Sequence, residues 1–121
     1  MRIAIPKETH PGENRVPITP EHAKRLCKMG ADLVIEQGMG LGSGFTDAEY
    51  TEVGASVSSD RTDLFGSADV LLRLRKPQLD EIGLMKRGAV HISYLDPFNE
   101  HGLVNAFKDA GITAISMEMI P

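Results

Sequence analysis

The stretch Gly30-Ala-Asp-Leu-Val-Ile-Glu36 joins a glycine to a short apolar run that contains β-branched residues. A helical pattern precedes it, because Thr19 can cap a helix, Pro20 suits the first helical position, and apolar residues follow at helical spacing. Gly30 then stands where helices commonly end in a left-handed residue, and the apolar run has the length of a buried strand. The stretch therefore predicts a helix, a glycine turn and a buried strand in succession.

The same succession recurs along the chain. A glycine stands between a helical pattern and an apolar run at Gly30, Gly54, Gly88 and Gly111. Helices that alternate with buried strands are typical of parallel winding, and right-handed crossovers place the helices against the sheet. We therefore predict an α/β fold: an open, mostly parallel sheet with helices on both faces, a three-layer arrangement of the Rossmann or flavodoxin-like kind.

The pattern also predicts where the individual elements lie. Strands are expected at residues 1–5, 31–36, 55–58, 69–74, 89–95 and 112–117. Helices are expected from Pro20, after Thr46, from Asp60 until Gly66, near 79–85, and from Pro97 or Asn99.

Composition narrows the functional class. The chain has 121 residues, a net charge of −4, no tryptophan and a single cysteine, Cys27. A negative balance without aromatic platforms argues against nucleic-acid binding, and one cysteine excludes an intrachain disulfide framework. No apolar run approaches the length of a membrane span, and the chain enters a strand without a signal-peptide pattern. We predict a cytoplasmic domain that does not itself insert into a membrane.

The loop Pro6–Pro20 is the most distinctive segment of the sequence. Loops between a strand and a helix in α/β units usually have about two to six residues, and this one is much longer and stiffened by four prolines. It carries Lys7, Glu8, Glu13 and Arg15. Such a loop at a strand end is a candidate binding segment. The alternative, that these charges solvate the loop and pair with one another, is favoured by composition alone.

Two further features invite a binding interpretation. The glycine-rich segment 38–44 follows a strand, but its glycines alternate and Ser43 stands where the dinucleotide fingerprint needs its third glycine. It is interpreted as a structural turn. The histidines show no metal-ligand spacing, so no metal site is predicted, and His91 is interpreted as a half-buried histidine with satisfied hydrogen bonds.

Charged residues follow two predicted strands. Arg73, Arg75 and Lys76 lie at the end of one strand, where open α/β sheets bind ligands, and arginine can hold a carboxylate or phosphate. Strand periodicity predicts that Arg73 and Arg75 share a face. The alternative is a surface patch that pairs with Asp80 and Glu81. Asp96 ends the next strand, as an acid or base or as a turn-forming residue.

Several motifs together resemble one family. They are Ile-Pro-Lys-Glu at 5–8, Gly-Glu-Asn-Arg-Val at 12–16, Ile-Thr-Pro at 18–20, Glu-Gln-Gly-Met-Gly at 36–40 and Ala-Asp-Val-Leu-Leu-Arg-Leu-Arg-Lys-Pro at 68–77. They are similar to the N-terminal domain shared by alanine dehydrogenases and the NAD-binding α subunit of proton-translocating nicotinamide nucleotide transhydrogenases. The resemblance covers essentially the whole chain, and the loop motif is its most specific part.

The resemblance implies which positions to inspect. Alanine dehydrogenases hold pyruvate with an arginine of the Asn-Arg-Val motif and a lysine of the strand-end motif, and a histidine ending the next strand is the acid/base. Those positions are Arg15, Arg75 and Asp96 here, so only the first matches. Arginine does not cycle its proton near neutral pH, and aspartate has an ordinary pKa about 2.6 units below that of histidine. Arg15, Arg75 and Asp96 are therefore candidate substrate- or anion-binding residues, and the transhydrogenase branch, which needs no such chemistry, is favoured.

The resemblance also implies a larger parent protein. A Rossmann domain that binds NAD would follow these 121 residues, and a later segment would return to complete the first domain. The ending 114–121 is similar to the approach to the nicotinamide-contacting loop of transhydrogenases. No cofactor-binding residue is predicted within the chain, which is expected to bind NAD weakly or not at all and to be inactive alone. A homodimer is implied, with membrane and NADP-binding subunits as partners and a peripheral place at the inner membrane.

The leading hypothesis is thus the N-terminal portion of a transhydrogenase α subunit, whose parent passes hydride from NADH to NADP. Two alternatives remain. One is the corresponding domain of an alanine or related amino-acid dehydrogenase, in which Arg15 and Arg75 hold a carboxylate. The other is a non-catalytic α/β module that binds an anion or a partner protein.

Overall fold

A six-stranded parallel sheet forms the centre of the molecule. The computed structural model describes residues 1–97 and 99–119, so the last two positions of the ending 114–121 lie outside the described residues. The strands are β1 (Arg2–Ile5), β2 (Asp32–Glu36), β3 (Ser56–Ser58), β4 (Val70–Arg75), β5 (Val90–Tyr94) and β6 (Thr113–Ser116). Their order is β3-β2-β1-β4-β5-β6, and every neighbouring pair is parallel.

The helices alternate with the strands. They are α1 (Pro20–Lys28), α2 (Asp47–Thr51), α3 (Arg61–Ser67), α4 (Leu79–Ile82) and α5 (His101–Ala110), with short 3₁₀ turns at Leu41–Ser43 and Met117–Met119. The predicted glycine punctuation is present: Gly30, Gly54, Gly88 and Gly111 all have φ between 71° and 112°. Side chains other than glycine rarely adopt this conformation, which explains why these turns need glycine.

Two apolar clusters lie on opposite faces of the sheet. One face packs the strands against α1 and α2, through residues such as Leu33, Ala23 and Tyr50. The other packs them against α3, α4 and α5, through residues such as Leu71 and Phe107. Neighbouring strand residues alternate between the clusters, as the pleat requires. The predicted open sheet with helices on both faces is confirmed, and its pairing is entirely parallel.

Three predicted helix boundaries are wrong. α3 continues through Gly66 to Ser67. α4 ends at Ile82, and i to i+3 hydrogen bonds continue through Met85. α5 begins at His101 rather than at Pro97 or Asn99.

The late start of α5 has a local cause. The carbonyl oxygen of Asp96 accepts hydrogen bonds from the backbone N–H groups of Asn99 and Glu100, both at 3.1 Å. These residues therefore belong to a turn that closes before the helix begins.

Candidate functional site

The site lies where the strand order reverses. β1 and β4 are neighbours, but the chain leaves β1 toward β2 and leaves β4 toward β5, so their carboxyl ends open onto one crevice. Open α/β sheets bind ligands at such a point, because the two connecting loops diverge there. The loop Pro6–Pro20 follows β1, and Arg73, Arg75 and Lys76 occupy the end of β4 or follow it.

Glu13 brings Arg15 and Arg75 together. Its Oε1 accepts hydrogen bonds from Arg15 Nη2 at 2.7 Å and Arg75 Nε at 2.9 Å. Its Oε2 accepts from Arg15 Nε at 3.0 Å and from the Arg15 backbone N–H at 3.1 Å. The Glu13 side chain is only 3% exposed, whereas Arg15 is 68% and Arg75 44% exposed. One buried carboxylate thus holds two arginines that face solvent.

The charge of Glu13 is strongly stabilised. Hydrogen bonding by the Arg15 guanidinium lowers the pKa of Glu13 to about 2, and this outweighs the opposing effect of burial; the Arg15 N–H and Arg75 add to the lowering. The carboxylate is therefore ionised throughout the physiological pH range. Of the two interpretations of the loop, charge pairing within the chain is what the structure shows for Arg15.

Arg73 lies in a different environment from Arg75. Its side chain is 2% exposed, its Nη1 donates to Glu81 Oε1 at 2.9 Å, and its guanidinium carbon lies 5.9 Å from the centre of the Phe65 ring. Its Nε is buried without a hydrogen-bond partner among the described residues and lies 4.0 Å from Glu8 Oε2. The prediction of a surface patch is therefore wrong for Arg73, although the predicted partner Glu81 is correct.

Glu81 is the centre of a buried ionic network. It accepts hydrogen bonds from Arg73, from Arg61 and from the backbone N–H of Gln78, and Arg61 also binds Glu36 at the end of β2. Burial alone would raise the pKa of Glu81, but the Gln78 N–H and the Arg73 guanidinium more than offset it and lower the pKa to about 2. The network joins the carboxyl ends of β2 and β4 to α3 and α4 beneath the loop.

His91 is more deeply buried than its sequence suggests. It has no exposed surface, its ring centre lies 5.1 Å from that of Phe107, and its Nε2 has no partner among the described residues. Burial, and then the charge of Arg73, lowers the pKa of His91 to about 3. The interpretation as a half-buried, satisfied histidine is wrong: the imidazole is buried, neutral and incompletely hydrogen-bonded.

Asp96 faces a cavity that it shares with Arg75. The cavity has a volume of about 300 Å³ and is lined by His10, Arg75, Lys76, Tyr94, Asp96 and Glu118. Asp96 has φ of 52° and accepts a hydrogen bond from Asn99 Nδ2 at 2.9 Å. Aspartate tolerates this left-handed conformation better than most residues, so the turn-forming role is observed directly.

The glycine-rich segment packs against the loop. A Cβ on Gly42 would lie 3.1 Å from the carbonyl oxygen of Asn14, which accepts a hydrogen bond from the Ser43 hydroxyl. A Cβ on Gly40 would lie 2.8 Å from Tyr50 Cε2. These glycines permit close approach of protein atoms, which supports a structural turn.

Metal ligands and membrane spans are both missing from the described residues. Among residues 1–97 and 99–119, no three His, Cys, Asp or Glu side chains are grouped as metal ligands. None of the helices described in the structure combines the length and apolar character that crossing a membrane requires.

The loop motif and the strand-end motif are shared with known proteins. Residues 4–121 match the family model described as "Alanine dehydrogenase/PNT, N-terminal domain". The chain belongs to this family. The family prediction made from the loop and strand-end motifs is therefore confirmed.

Relatives in the family come from both of its branches. The chain is 39% identical to an NAD(P) transhydrogenase subunit alpha protein of Rhodospirillum rubrum, a match that covers all of this chain and 33% of that protein. It is 34% identical to the alanine dehydrogenase of Halomonas elongata, covering 99% of this chain and 32% of that protein. The chain therefore spans about a third of the length of these relatives.

A solved structure supports the same relationship. The transhydrogenase from Sinorhizobium meliloti superposes with a TM-score of 0.94 at 39% identity, covering all of this chain and 36% of that one. An L-alanine dehydrogenase superposes with a TM-score of 0.90 at 30% identity, covering 96% of this chain and 32% of that one. Both branches of this oxidoreductase family thus share the fold, and the site residues must distinguish them.

Proposed function

We propose that the chain is the N-terminal portion of the NAD(H)-binding α subunit of a proton-translocating NAD(P) transhydrogenase. The parent protein passes hydride from NADH to NADP held on a partner domain. The observation that carries the proposal is the hydrogen-bonding of both Arg15 and Arg75 to Glu13, a carboxylate of the chain itself.

This arrangement argues against a substrate grip of the alanine dehydrogenase kind. The Nε and Nη2 groups of Arg15 form the edge that binds a carboxylate bidentately, and Glu13 occupies both. Arg75 keeps its proton at neutral pH, so it cannot replace a lysine that exchanges one. Asp96 is engaged by Asn99 in a turn. The three candidate residues therefore serve the structure of the crevice, and the transhydrogenase function does not require more from them.

Binding of NAD is assigned to other regions of the parent. The described residues offer no glycine-rich cradle at the head of a helix, because the segment 38–44 is filled by its contacts with Asn14 and Tyr50. These residues do not fit the pyrophosphate of a dinucleotide. We expect the 121-residue chain alone to bind NADH weakly or not at all, and isothermal titration that showed micromolar binding would contradict this expectation.

The partners follow from the same proposal. The parent acts as a homodimer together with membrane and NADP-binding subunits, at the cytoplasmic side of the inner membrane. The support is the similarity to proteins named as transhydrogenase α subunits.

The parent protein with its partner subunits provides the test. Transhydrogenation is measured as NADH-dependent reduction of an NADP analogue, and dehydrogenase activity as NADH oxidation that needs pyruvate and ammonia. We expect the first activity and not the second. Pyruvate-dependent oxidation without transhydrogenation would overturn the proposal.

The second candidate is an amino-acid dehydrogenase. The cavity of about 300 Å³ favours it, because Arg75 and Lys76 line it together with Asp96 and Glu118, and a ligand with both charges would find partners there. An Arg75→Lys parent that gained pyruvate-dependent NADH oxidation would support this candidate, and Arg75→Gln serves as the matched control.

A further inference from the structure

β1 stops pairing with β4 well before β4 ends. The two strands are in register only at Ile3 with Val70 and at Ala4 with Leu71. Pro6 then follows β1 and has no backbone N–H, so it cannot continue a ladder as donor. The N–H groups of β4 beyond this point need acceptors from elsewhere, since unpaired buried backbone groups are costly.

The side chain of Glu8 supplies those acceptors. Its carboxylate is 5% exposed, and it accepts the backbone N–H of Leu74 at 3.2 Å and of Arg75 at 2.9 Å. Two successive N–H groups that converge on one anion form a backbone nest. A regular strand cannot provide this, because its successive N–H groups point to opposite edges.

The pairing on the other side of β4 records the irregularity. Leu72 pairs with Ile92 of β5, the next pair is Arg75 with Tyr94, and the register shifts between them. Three residues on β4 therefore span two on β5, which is the geometry of a bulge. The nest around Glu8 and the bulge are the same stretch of chain.

The bulge separates two arginines that a regular strand would place alike. Residues i and i+2 of a strand share a face, yet Arg73 is 2% exposed and bonded to Glu81, whereas Arg75 is 44% exposed and bonded to Glu13. The position of Arg75 therefore depends on the local geometry that Glu8 holds.

We propose that Glu8 is a positioning residue: its carboxylate fixes the bulge at the end of β4 and thereby directs Arg75 outward to Glu13. This inference goes beyond the proposed function, because it concerns how the chain places Arg75 whatever ligand or partner meets it. Glu8 acts through the backbone, and Arg75 is the group that faces the crevice.

Glu8→Gln is the first test, with NMR of the folded chain as the readout. The variant keeps the size of the side chain but replaces one acceptor oxygen with an NH₂ group that faces a donor. We expect upfield shifts and faster exchange of the Leu74 and Arg75 amide protons. The pKa of Glu13, held at about 2 chiefly by Arg15, should also rise by the same amount as in Arg75→Gln, because both variants lose the same hydrogen bond.

The matched control is Glu100→Gln. Glu100 pairs with Lys76, the residue next to Arg75, but does not contact the bulge. It should leave the two amide protons and the Glu13 pKa unchanged. A folded Glu8→Gln that also leaves them unchanged would overturn the proposal, since loss of stability alone would not place Glu8 behind Arg75.

A measurement on the unsubstituted chain covers the case in which Glu8→Gln does not fold. The Leu74 and Arg75 amide protons should titrate with the same midpoint as the Glu8 Cδ carbon, because protonation removes the charge that they bind. Amide shifts that follow a different midpoint would contradict the proposal.

Discussion

Arg73 Nη1 donates to Glu81 Oε1 at 2.9 Å, and both side chains lie almost wholly out of solvent. Removing one partner of a buried pair leaves the other charge undercompensated, which typically costs about 3–5 kcal/mol. Because Glu81 keeps Arg61 and the Gln78 N–H, we expect Arg73→Met to lower the free energy of unfolding by about 3 kcal/mol, the low end of that range. Urea denaturation at neutral pH measures the loss.

The control for this prediction is an exposed ion pair. Lys86 binds Asp69, with side chains 43% and 40% exposed. Such pairs contribute about 0–1 kcal/mol, so Lys86→Met should change the free energy of unfolding by no more than about 0.5 kcal/mol. Equal losses in the two variants would show that Arg73 is less isolated from water than the structure indicates.

His91 gives the chain a pH dependence of stability. Its pKa is about 3 in the folded protein, against 6.5 for an unperturbed histidine. Between these values the unfolded chain binds one more proton at His91 than the folded chain. The free energy of unfolding therefore decreases as the pH falls below 6.5, by about 1.4 kcal/mol per pH unit. We expect His91→Phe to remove this slope, which denaturation between pH 6.5 and about 5 measures.

That pH window separates His91 from the carboxylates. The pKa values of Glu13 and Glu81 are lowered from 4.5 to about 2, so their contributions are complete above 4.5 and disappear as the pH falls through 2. His101→Gln, at an exposed position of α5, is the control and should keep the slope. A His91→Phe variant with an unchanged slope would contradict the assignment.

Asp96 should tolerate only residues that accept a left-handed backbone. Its φ is 52°, a conformation that asparagine and glycine adopt readily and that costs a β-branched residue about 1–2 kcal/mol. We expect Asp96→Asn to stay within about 0.5 kcal/mol of the unsubstituted chain and Asp96→Val to lose about 2 kcal/mol. Thermal unfolding compares them, and equal melting temperatures would contradict the strained assignment. In the parent, Asp96→Asn also tests whether the carboxylate matters to activity without disturbing the turn.

The sequence predicted the fold because its signals are local. Gly30 and Gly111 are each adjacent to a helix end and a strand start, and both adopt the left-handed conformation that their positions predicted. A capping box from Thr46 to Glu49 likewise starts α2 where expected. These features depend on a few neighbouring residues, so pattern reasoning reaches them.

The features that sequence patterns missed depend on contacts between distant segments. Glu8 meets the end of β4 across 67 residues of sequence, and strand periodicity at Arg73 and Arg75 cannot reveal that a side chain from elsewhere breaks the strand. The burial of His91 depends on Phe107 of α5. The only local signal for Arg73 was its place within the apolar run Leu-Leu-Arg-Leu, which is compatible with burial once a partner such as Glu81 exists.

Gly40 and Gly102 should respond to alanine with opposite signs. A Cβ at Gly40 would lie 2.8 Å from Tyr50 Cε2 and 2.9 Å from the Phe45 carbonyl oxygen, both in packed structure. Overpacking of this kind costs about 1–3 kcal/mol, so Gly40→Ala should be destabilised by about 2 kcal/mol. A Cβ at Gly102 would meet nothing within 4 Å, and the residue lies in α5, where alanine replaces glycine with a gain of about 0.5–1 kcal/mol. Urea denaturation of both variants decides the matter: a loss at both positions would mean that Gly102 is not free, and a gain at both would mean that the turn 38–44 yields to a side chain.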